Sequence, residues 1–266
     1  TMMIISNPTI SFRAGIVFDF AIASHEVTVA QFQRFRNEHE VSKLVAPSDD
    51  CPVHHVTWDI AAEYCNWLSA REGLTPVYKE EFGEWVAIRP FPDGYRLPTE
   101  AEWVWAIRYQ GGNGALKYSW GKDWPPRRDA GNYADKSAAD LVPTIIPAYD
   151  DGFASTAEGG KFPANRIGIF DGAGNVAEWV NDFYTVPAPG VTSPLVDPLG
   201  PERGKSYVIR GSSWRHATAT ELRLSFRDYG NDPRSDSQAW RPSCGSRRWR
   251  HWSGSQPRRE SLITLP

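Results

Sequence analysis

The sequence predicts an irregular α+β domain in which loops outnumber regular elements. Its 266 residues include 21 prolines and 22 glycines, which favour turns over helices and strands. Twelve tryptophans add large apolar anchors of the kind that stabilise a chain with few long elements. A chain of this length with 41% hydrophobic residues can bury a full core without disulfides or metals, so we expect one main domain.

Two amphipathic helices are predicted near the start of the chain. The first covers residues 27 to about 39, with Thr28 in position to cap it. The second covers residues 57–71, and Gly73 follows it as a stop signal. Apolar residues recur at helical spacing on one face of each helix: Val29, Phe32 and Phe35 in the first, and Ala61, Tyr64, Cys65 and Leu68 in the second.

A third helix is predicted to start at Thr99. Thr99 and Glu102 have the spacing of a capping box, in which each side chain accepts a hydrogen bond from the backbone of the other residue. The buried stripe of this helix is expected to consist of Trp103, Ala106 and Ile107.

The pattern of residues along the chain changes after Gly111. Short apolar runs alternate there with Gly, Pro, Asn and Asp, and only residues 207–210 and 222–226 are predicted as strands. We therefore expect loops to dominate the second half. The composition does not shift enough at Gly111 to mark a linker between two domains.

The three cysteines, Cys51, Cys65 and Cys244, have neither the number nor the spacing of a disulfide framework or a zinc site. A pair between Cys51 and Cys65 is one interpretation, but the surroundings of Cys65 in the second helix favour a small core residue. The polar residues beside Cys51 are interpreted as surface residues and not as a catalytic cluster: Asp50, His54 and His55.

The overall charge argues against polyanionic partners. A formal net charge of −3 and a pI near 6.1 provide no general attraction to nucleic acid or to anionic membranes. No run of 18 apolar residues occurs, so no membrane span is predicted, and the first residues lack the pattern of a secretory signal. Because the chain opens with Thr1 and enters an apolar stretch at once, it is interpreted as the C-terminal part of a longer protein or a fragment, and its compartment stays open.

The segment from Asp171 to Trp179 is the richest in candidate ligands. It reads Asp-Gly-Ala-Gly-Asn-Val-Ala-Glu-Trp, which places carboxylates and an amide around flexible glycines. Hard oxygen ligands of this kind bind calcium. A solvated acidic turn is the alternative interpretation of the same residues.

Five motifs occur in one order along the chain: Glu26-Val-Thr-Val-Ala-Gln-Phe32, Val56-Thr-Trp-Asp-Ile-Ala-Ala62 with Tyr64-Cys-Asn-Trp67, Tyr95-Arg-Leu-Pro-Thr-Glu-Ala-Glu-Trp103, Gly174-Asn-Val-Ala-Glu-Trp179 and Arg210-Gly-Ser-Ser-Trp214. Together they cover roughly residues 16–236, and the series resembles the formylglycine-generating enzyme family, also called sulfatase-modifying factors. The resemblance implies an irregular, loop-rich α+β fold related to C-type lectins, with few regular elements and bound calcium.

The resemblance also implies two structural calcium sites. The first would take the Asn132 side chain, the Tyr133 carbonyl, the Asp151 carboxylate and the Phe153 carbonyl. The second would take the Asp171 carboxylate, the carbonyls of Gly174 and Val176, and the Glu178 carboxylate. All these ligands present oxygen to a hard cation, and the ions would cross-link the loop-rich half.

Catalysis is the point at which this chain departs from the family. The resemblance implies that the oxidising members hold copper with two cysteines, since soft thiolates select Cu(I). Alignment on Arg210-Gly-Ser-Ser213 puts His216 and Glu221 at those two positions. Neither is a thiol, so we expect neither copper nor formylglycine generation. A lone histidine next to Trp214 is interpreted as a hydrogen-bonded residue and not as a metal ligand.

The end of the chain also departs from the family, which closes with a Gly-Phe-Arg strand soon after the position of residues 233–236. Residues 237–266 show no strand period, and we predict a disordered tail outside a main domain of residues 1–236. Three interpretations stay open: an out-of-frame or artefactual end, a diversified binding segment, and a basic interaction tail. The interleaved Arg and Trp between Arg241 and Trp252 suit base stacking, but without a fold beneath them we expect no nucleic-acid partner.

Two functions follow from this combination. The first is a calcium-stabilised binding or scaffold module that presents a surface to a protein, a peptide or a glycan. The second is a divergent metal-dependent oxidoreductase of the same family, acting through a groove near Ser213, Trp214, His216 and Glu221. The absence of thiols at the copper positions favours the first, although a fold does not decide a function.

Overall fold

In the computed structural model of the protein, each α-helix of the described part begins at a threonine cap. The helices are α1 (Val29–Gln33), α2 (Trp58–Arg71) and α3 (Glu100–Trp103), and the side chain of the preceding threonine accepts from a backbone N–H three residues on. The structure describes residues 20–110, 112, 114–186 and 197–230 with their side chains, and the backbone alone at 2–5, 14–15, 195–196, 238–239 and 243–245.

α2 and the start of α3 confirm two predicted helices. α2 ends at Arg71, and Gly73 follows with a φ of +67°. The capping box of α3 is reciprocal, because the Thr99 N–H donates to the Glu102 carboxylate at 2.8 Å and the Glu102 N–H donates to the Thr99 hydroxyl at 3.2 Å. The chain continues as a π-helix, Val104–Arg108, and the predicted stripe is buried: Trp103, Ala106 and Ile107.

α1 is shorter than predicted. Its apolar face is confirmed, since Phe32 is buried and Phe35 packs against the same core. The helix ends at Gln33 instead of near His39. The N–H groups of Phe35 and Arg36 both donate to the carbonyl of Phe32, so the chain tightens into turns at this point.

Short strands form four small sheets in the described part of the chain. Two sheets have four strands each, in the orders β1-β3-β12-β6 and β10-β9-β7-β11, and the pairs β2-β8 and β4-β5 form the others. The strands are β1 (Met2–Ile5), β2 (Ala14–Gly15), β3 (Phe20–Ala23), β4 (Tyr78–Glu81), β5 (Glu84–Ala87), β6 (Tyr95–Arg96), β7 (Ala177–Phe183), β8 (Leu195–Val196), β9 (Tyr207–Arg210), β10 (Asp228–Gly230), β11 (Gln238–Ala239) and β12 (Ser243–Gly245). β9 confirms the predicted strand at residues 207–210.

β7 is the longest of these strands and was not predicted. It pairs antiparallel with β9 and parallel with β11, and all its residues before Phe183 are buried. Its polar side chains are satisfied by tertiary partners: Glu178 accepts from the Trp103 indole at 2.9 Å, Asn181 accepts from the Tyr78 hydroxyl at 3.0 Å, and Asp182 accepts from the Glu100 N–H at 2.7 Å. Because these partners are remote in sequence, no local pattern predicts the strand.

The predicted strand at residues 222–226 is wrong, because this segment forms turns. The Arg210 guanidinium takes the carbonyls with which a strand would pair, bonding to those of Leu224 at 2.8 Å, Ser225 at 3.4 Å and Phe226. Arg210 is buried, which lowers its pKa to about 10, and it lies over the Trp103 ring. A buried side chain thus replaces a neighbouring strand.

The sequence predicted a disordered tail after residue 236, but two short strands form in this segment. β11 extends the sheet of β7, and β12 lies between β3 and β6 with Cys244 opposite Ala21 and Tyr95. Serine, cysteine and glycine carry no strand period, so only the pairing reveals this element. The rest of residues 237–266 lies outside the described part, and the three interpretations of this segment stay predictions.

Tryptophan side chains brace α2 against β7. The Trp58 indole donates to the Val180 carbonyl at 2.9 Å, and the Trp179 indole donates to the Val56 carbonyl at 2.9 Å. Each ring therefore fills the core while its polar edge is satisfied. This is the anchoring role that the high tryptophan content predicted.

Cys51 and Cys65 are buried in the core beside α2 and form no disulfide with each other. The interpretation of Cys65 as a core residue is confirmed. His54 was expected at the surface and is instead fully buried, whereas Asp50 and His55 are exposed. Among the helices that the structure describes, none has the length and apolarity needed to cross a membrane.

Asp182 on β7 predicts a pH dependence of stability. Desolvation raises the pKa of this buried carboxyl to about 7. The hydrogen bond from the Glu100 N–H lowers the pKa, whereas the negative charges of Glu100 and Glu102 raise it. Between about pH 4 and pH 7 the folded protein therefore holds a proton that the unfolded chain releases. We expect the free energy of unfolding to fall by up to about 1.4 kcal/mol per pH unit as the pH rises through this window.

Denaturant unfolding from pH 4 to pH 8 measures this slope. Asp182→Asn removes the titrating group but keeps an acceptor for the Glu100 N–H, so we expect a shallower slope. Asp140→Asn, at an exposed position, is the matched control and should keep the wild-type slope. An Asp182→Asn variant with the full wild-type slope would contradict the assignment.

Candidate functional site

The four residues predicted for the first calcium site lie together. The Asp151 carboxylate accepts from the Tyr133 N–H at 2.9 Å and from the Phe153 N–H at 2.9 Å. It therefore joins the two backbone segments whose carbonyls were predicted as ligands. Asn132 precedes Tyr133 and is fully buried. The fold thus brings two separate loops to one place.

The Asp151 carboxyl carries an electrostatic cost that a cation would relieve. Desolvation raises its pKa to about 7, against the effect of its two N–H donors, and the neighbouring Asp135 raises it further. Asp135 is buried and accepts a hydrogen bond from the Asp151 N–H. A divalent cation beside Asp151 would stabilise the ionised carboxylate.

The Asn132 side chain provides a second test of fit. Its amide nitrogen donates to the Ser155 carbonyl at 2.7 Å and to the Asn175 side-chain oxygen at 3.2 Å. The remaining oxygen, Oδ1, is buried without a hydrogen-bond partner. Such an oxygen costs about 1–3 kcal/mol, and a hard cation would satisfy it. The residues of the first site therefore fit calcium.

The residues predicted for the second site lie on one continuous segment that enters β7. Its two carboxylates are nearly or fully buried. Asp171 Oδ2 accepts from the Gly160 N–H at 2.9 Å, and Glu178 Oε2 accepts from the Trp103 indole at 2.9 Å. A carboxylate oxygen has more than one lone pair, so it can accept such a bond and also bind a cation. The donor set, which also includes the carbonyls of Gly174 and Val176, suits a hard ion.

Gly174 couples the two predicted sites. It adopts a φ of +94°, and a Cβ at this position would lie 2.8 Å from the Asn132 carbonyl oxygen and 2.9 Å from the Tyr133 ring. Only glycine tolerates both the backbone conformation and this contact. A residue of the second site is therefore packed directly against two residues of the first.

His216 is held by its own loop. Its Nδ1 accepts from the Ser213 N–H at 2.9 Å and lies 3.1 Å from the Ser213 hydroxyl. Desolvation lowers the pKa of His216, although Glu221 opposes this shift. The imidazole is therefore neutral near pH 7, with one of its two nitrogens engaged. Ser213 and Trp214 are buried.

Glu221 is engaged in a turn of its own. Its Oε2 accepts from the Thr218 N–H at 3.1 Å and from the Thr218 hydroxyl at 2.7 Å, and the Glu221 N–H donates back to that hydroxyl at 3.3 Å. This is the reciprocal pattern of a capping box. Over the described residues, no group of three His, Cys, Asp or Glu side chains is placed to hold a metal ion. Each of the two predicted calcium sites has at most two carboxylates and would take its other ligands from amide and backbone oxygens.

Asn175 is a site residue whose role the sequence did not predict. It lies within the segment of the second predicted site and adopts a φ of +59°, a conformation that asparagine tolerates better than most residues. Its side chain donates to Glu26 Oε2 at 3.1 Å and to the Ala157 carbonyl at 3.1 Å, and it accepts from the Ala157 N–H at 2.9 Å and from Asn132 at 3.2 Å. Its backbone bonds to Asn132 and Trp214 at 2.8 and 2.9 Å. The dipeptide Gly174-Asn175 was the available signal, because both residues favour a positive φ.

Comparison with known proteins places this geometry among known folds. The family described as "Sulfatase-modifying factor enzyme 1-like domain" matches residues 13–241. The formylglycine-generating enzyme of Streptomyces coelicolor is 34% identical over 163 residues, which are 61% of this chain and 42% of that enzyme. The corresponding enzyme of Bos taurus is 32% identical over 180 residues, which are 68% of this chain and 39% of the enzyme. This chain therefore spans less than half the length of either enzyme.

A solved structure of another protein has a similar fold. Treponema denticola variable protein 1 superimposes with a TM-score of 0.68 and 27% identity, over 85% of this chain and 84% of that one. The loop-rich α+β fold class related to C-type lectins is thereby confirmed. The family match also continues past residue 236, the predicted end of the main domain.

Proposed function

The chain belongs to the sulfatase-modifying factor family, and from this membership we propose that it is a calcium-stabilised binding or scaffold module that does not generate formylglycine. Its expected partner is a protein, a peptide or a glycan. Because the chain spans only part of the matched enzymes, their activity does not pass to it by similarity alone.

The observation that carries this proposal is the state of His216 and Glu221. The alignment puts these residues where the oxidising members of the family are expected to have copper thiolates. Here the imidazole accepts from the Ser213 N–H, and the carboxylate closes a turn with Thr218. Both side chains thus serve local structure, and neither is the soft ligand that Cu(I) selects.

An aldehyde assay tests the absence of formylglycine generation. The protein is incubated with a cysteine-containing sulfatase-type peptide, oxygen and copper, and mass spectrometry follows conversion of the peptide cysteine to an aldehyde. We expect no aldehyde from the wild type. Turnover that disappears in His216→Ala would support the metal-dependent oxidoreductase instead and would overturn the proposal.

The calcium part of the proposal rests on the orphaned Asn132 Oδ1 and on the desolvated Asp151 carboxyl. We expect two equivalents of calcium in the purified protein and a lower melting temperature after chelation. A site held at 100 times its Kd contributes about 2.7 kcal/mol, which corresponds to about 5–10 °C in a protein of this size.

Neighbouring aspartates provide a matched pair of variants for this prediction. Asp151→Asn removes a predicted ligand, and we expect it to lose one calcium equivalent and part of the chelation effect. Asp150→Asn changes the adjacent, exposed residue and should retain both ions. Elemental analysis without calcium, together with a melting temperature that chelation leaves unchanged, would rule out this part of the proposal.

A further inference from the structure

A phenylalanine stands fully exposed at the tip of the β4–β5 hairpin. The strands pair from Tyr78 opposite Ala87 to Glu81 opposite Glu84, which leaves Phe82 and Gly83 as a two-residue loop. The exposure of Phe82 is 103% of its reference value. Its ring therefore packs against nothing in the described part of the protein.

The turn itself does not favour phenylalanine. Phe82 and Gly83 have φ values of +55° and +83°, the signs that a type I′ turn requires at its two central positions. Asn-Gly is the preferred sequence there, and a bulky residue in this conformation is an outlier. Neither packing nor turn chemistry explains Phe82, and residues held against local preference concentrate at functional positions.

The surroundings of the tip are acidic. Glu80, Glu81 and Glu84 are exposed on the hairpin. Asp59 lies on α2, which contacts β5. The pKa of its carboxyl is raised by desolvation, then by the charges of Glu63 and Glu84. Of these carboxylates, Glu81 pairs with Lys79 at 2.5 Å and Glu63 pairs with Arg36. The charge around the tip is therefore negative in excess.

We propose that the hairpin tip, defined as Phe82 with the carboxylates of Glu80, Glu84 and Asp59, docks onto a protein segment that presents an apolar surface bordered by lysine or arginine. The proposal rests on the function proposed above and names its surface and partner. A desolvated aromatic ring supplies affinity, and complementary charge around it supplies orientation and a faster encounter. The carboxylates disfavour nucleic acid and anionic lipid at this surface.

A synthetic peptide tests the proposal. The probe is a labelled amphipathic peptide of alternating leucine and lysine, and a leucine–glutamate peptide of the same length is its charge-reversed control. By fluorescence anisotropy, we expect the wild type to bind the cationic peptide with an affinity that falls with salt, and not to bind the control. Phe82→Asn should weaken binding about tenfold or more, while its melting temperature stays equal or rises because Asn-Gly suits the turn.

Two further variants separate the parts of the surface. The double variant Glu80→Gln/Glu84→Gln should bind more weakly and with less dependence on salt, because two of the carboxylates are gone. Leu44→Asn removes another exposed apolar side chain, 65% exposed, and should bind as the wild type does. Equal affinities of Phe82→Asn and wild type, binding of both peptides, or no binding by the wild type would each overturn the proposal. Calcium content and aldehyde formation are measured separately, so a failure here leaves the test of the proposed function intact.

Discussion

Replacing Asn175 by alanine is expected to lower the free energy of unfolding by about 4 kcal/mol, and the melting temperature by about 10 °C. The substitution removes every side-chain hydrogen bond of a residue that is 1% exposed. Glu26 Oε2, both backbone groups of Ala157 and the Asn132 amide each lose a buried partner. A buried polar group without a partner costs about 1–3 kcal/mol, and incomplete relaxation makes the losses less than additive.

A glycine variant separates the hydrogen bonds from the backbone conformation. Asn175→Gly loses the same bonds but accepts the φ of +59° without strain, so we expect it to be about 1 kcal/mol more stable than Asn175→Ala. Asn37→Ala, at an exposed position, is the control and should change stability by less than about 0.5 kcal/mol. Denaturant unfolding provides the comparison. If Asn175→Ala were no less stable than the Asn37 control, the network would not have the role assigned to it.

The parts of the fold that the sequence predicts are those with local causes. α2 and α3 begin at threonine caps and carry apolar stripes, and both signals lie within one or two helical turns. β7 has no such signal, because it is buried on both faces and its Glu178, Asn181 and Asp182 find partners on distant elements. A period of two cannot appear in such a strand.

At residues 222–226 the sequence predicted a strand that the structure does not contain. Their alternation of apolar and polar residues is typical of a strand, but Arg210 bonds to the carbonyls of this segment and leaves it in turns. A local pattern therefore decides the structure only where no tertiary group competes for the backbone.

The candidate site divides in the same way. The predicted calcium ligands came from the family resemblance, and in the structure the N–H groups of Tyr133 and Phe153 both donate to the Asp151 carboxylate. The structure also shows that His216 and Glu221 are used by their own turns. Asn175 was not identified, because its importance lies in contacts with Glu26, Asn132 and Ala157, which are far apart in sequence.

Replacing Glu102 by alanine is the second change with a large expected effect, about 3–5 kcal/mol in the free energy of unfolding. Glu102 and Arg96 form a buried, bidentate ion pair with both N–O distances at 2.7 Å. The same carboxylate caps α3 through the Thr99 N–H. Alanine would leave the Arg96 guanidinium buried over the Phe91 ring without this counter-ion, and the desolvation of a charge that has lost its buried carboxylate dominates the cost.

A second variant and an exposed pair test this explanation. In Arg96→Met/Glu102→Leu the buried charges are removed together, so we expect part of the lost stability to return even though no ion pair is rebuilt. The Arg127–Asp129 pair has a similar distance, 3.0 Å, but its side chains are 63% and 57% exposed. Because water screens such a pair, Asp129→Ala should cost less than about 1 kcal/mol. Unfolding experiments that found equal costs for Glu102→Ala and Asp129→Ala would show that burial does not set the energy of this pair. A double variant no more stable than Glu102→Ala would instead attribute the loss to the missing cap, since both changes leave the Thr99 N–H without its carboxylate acceptor.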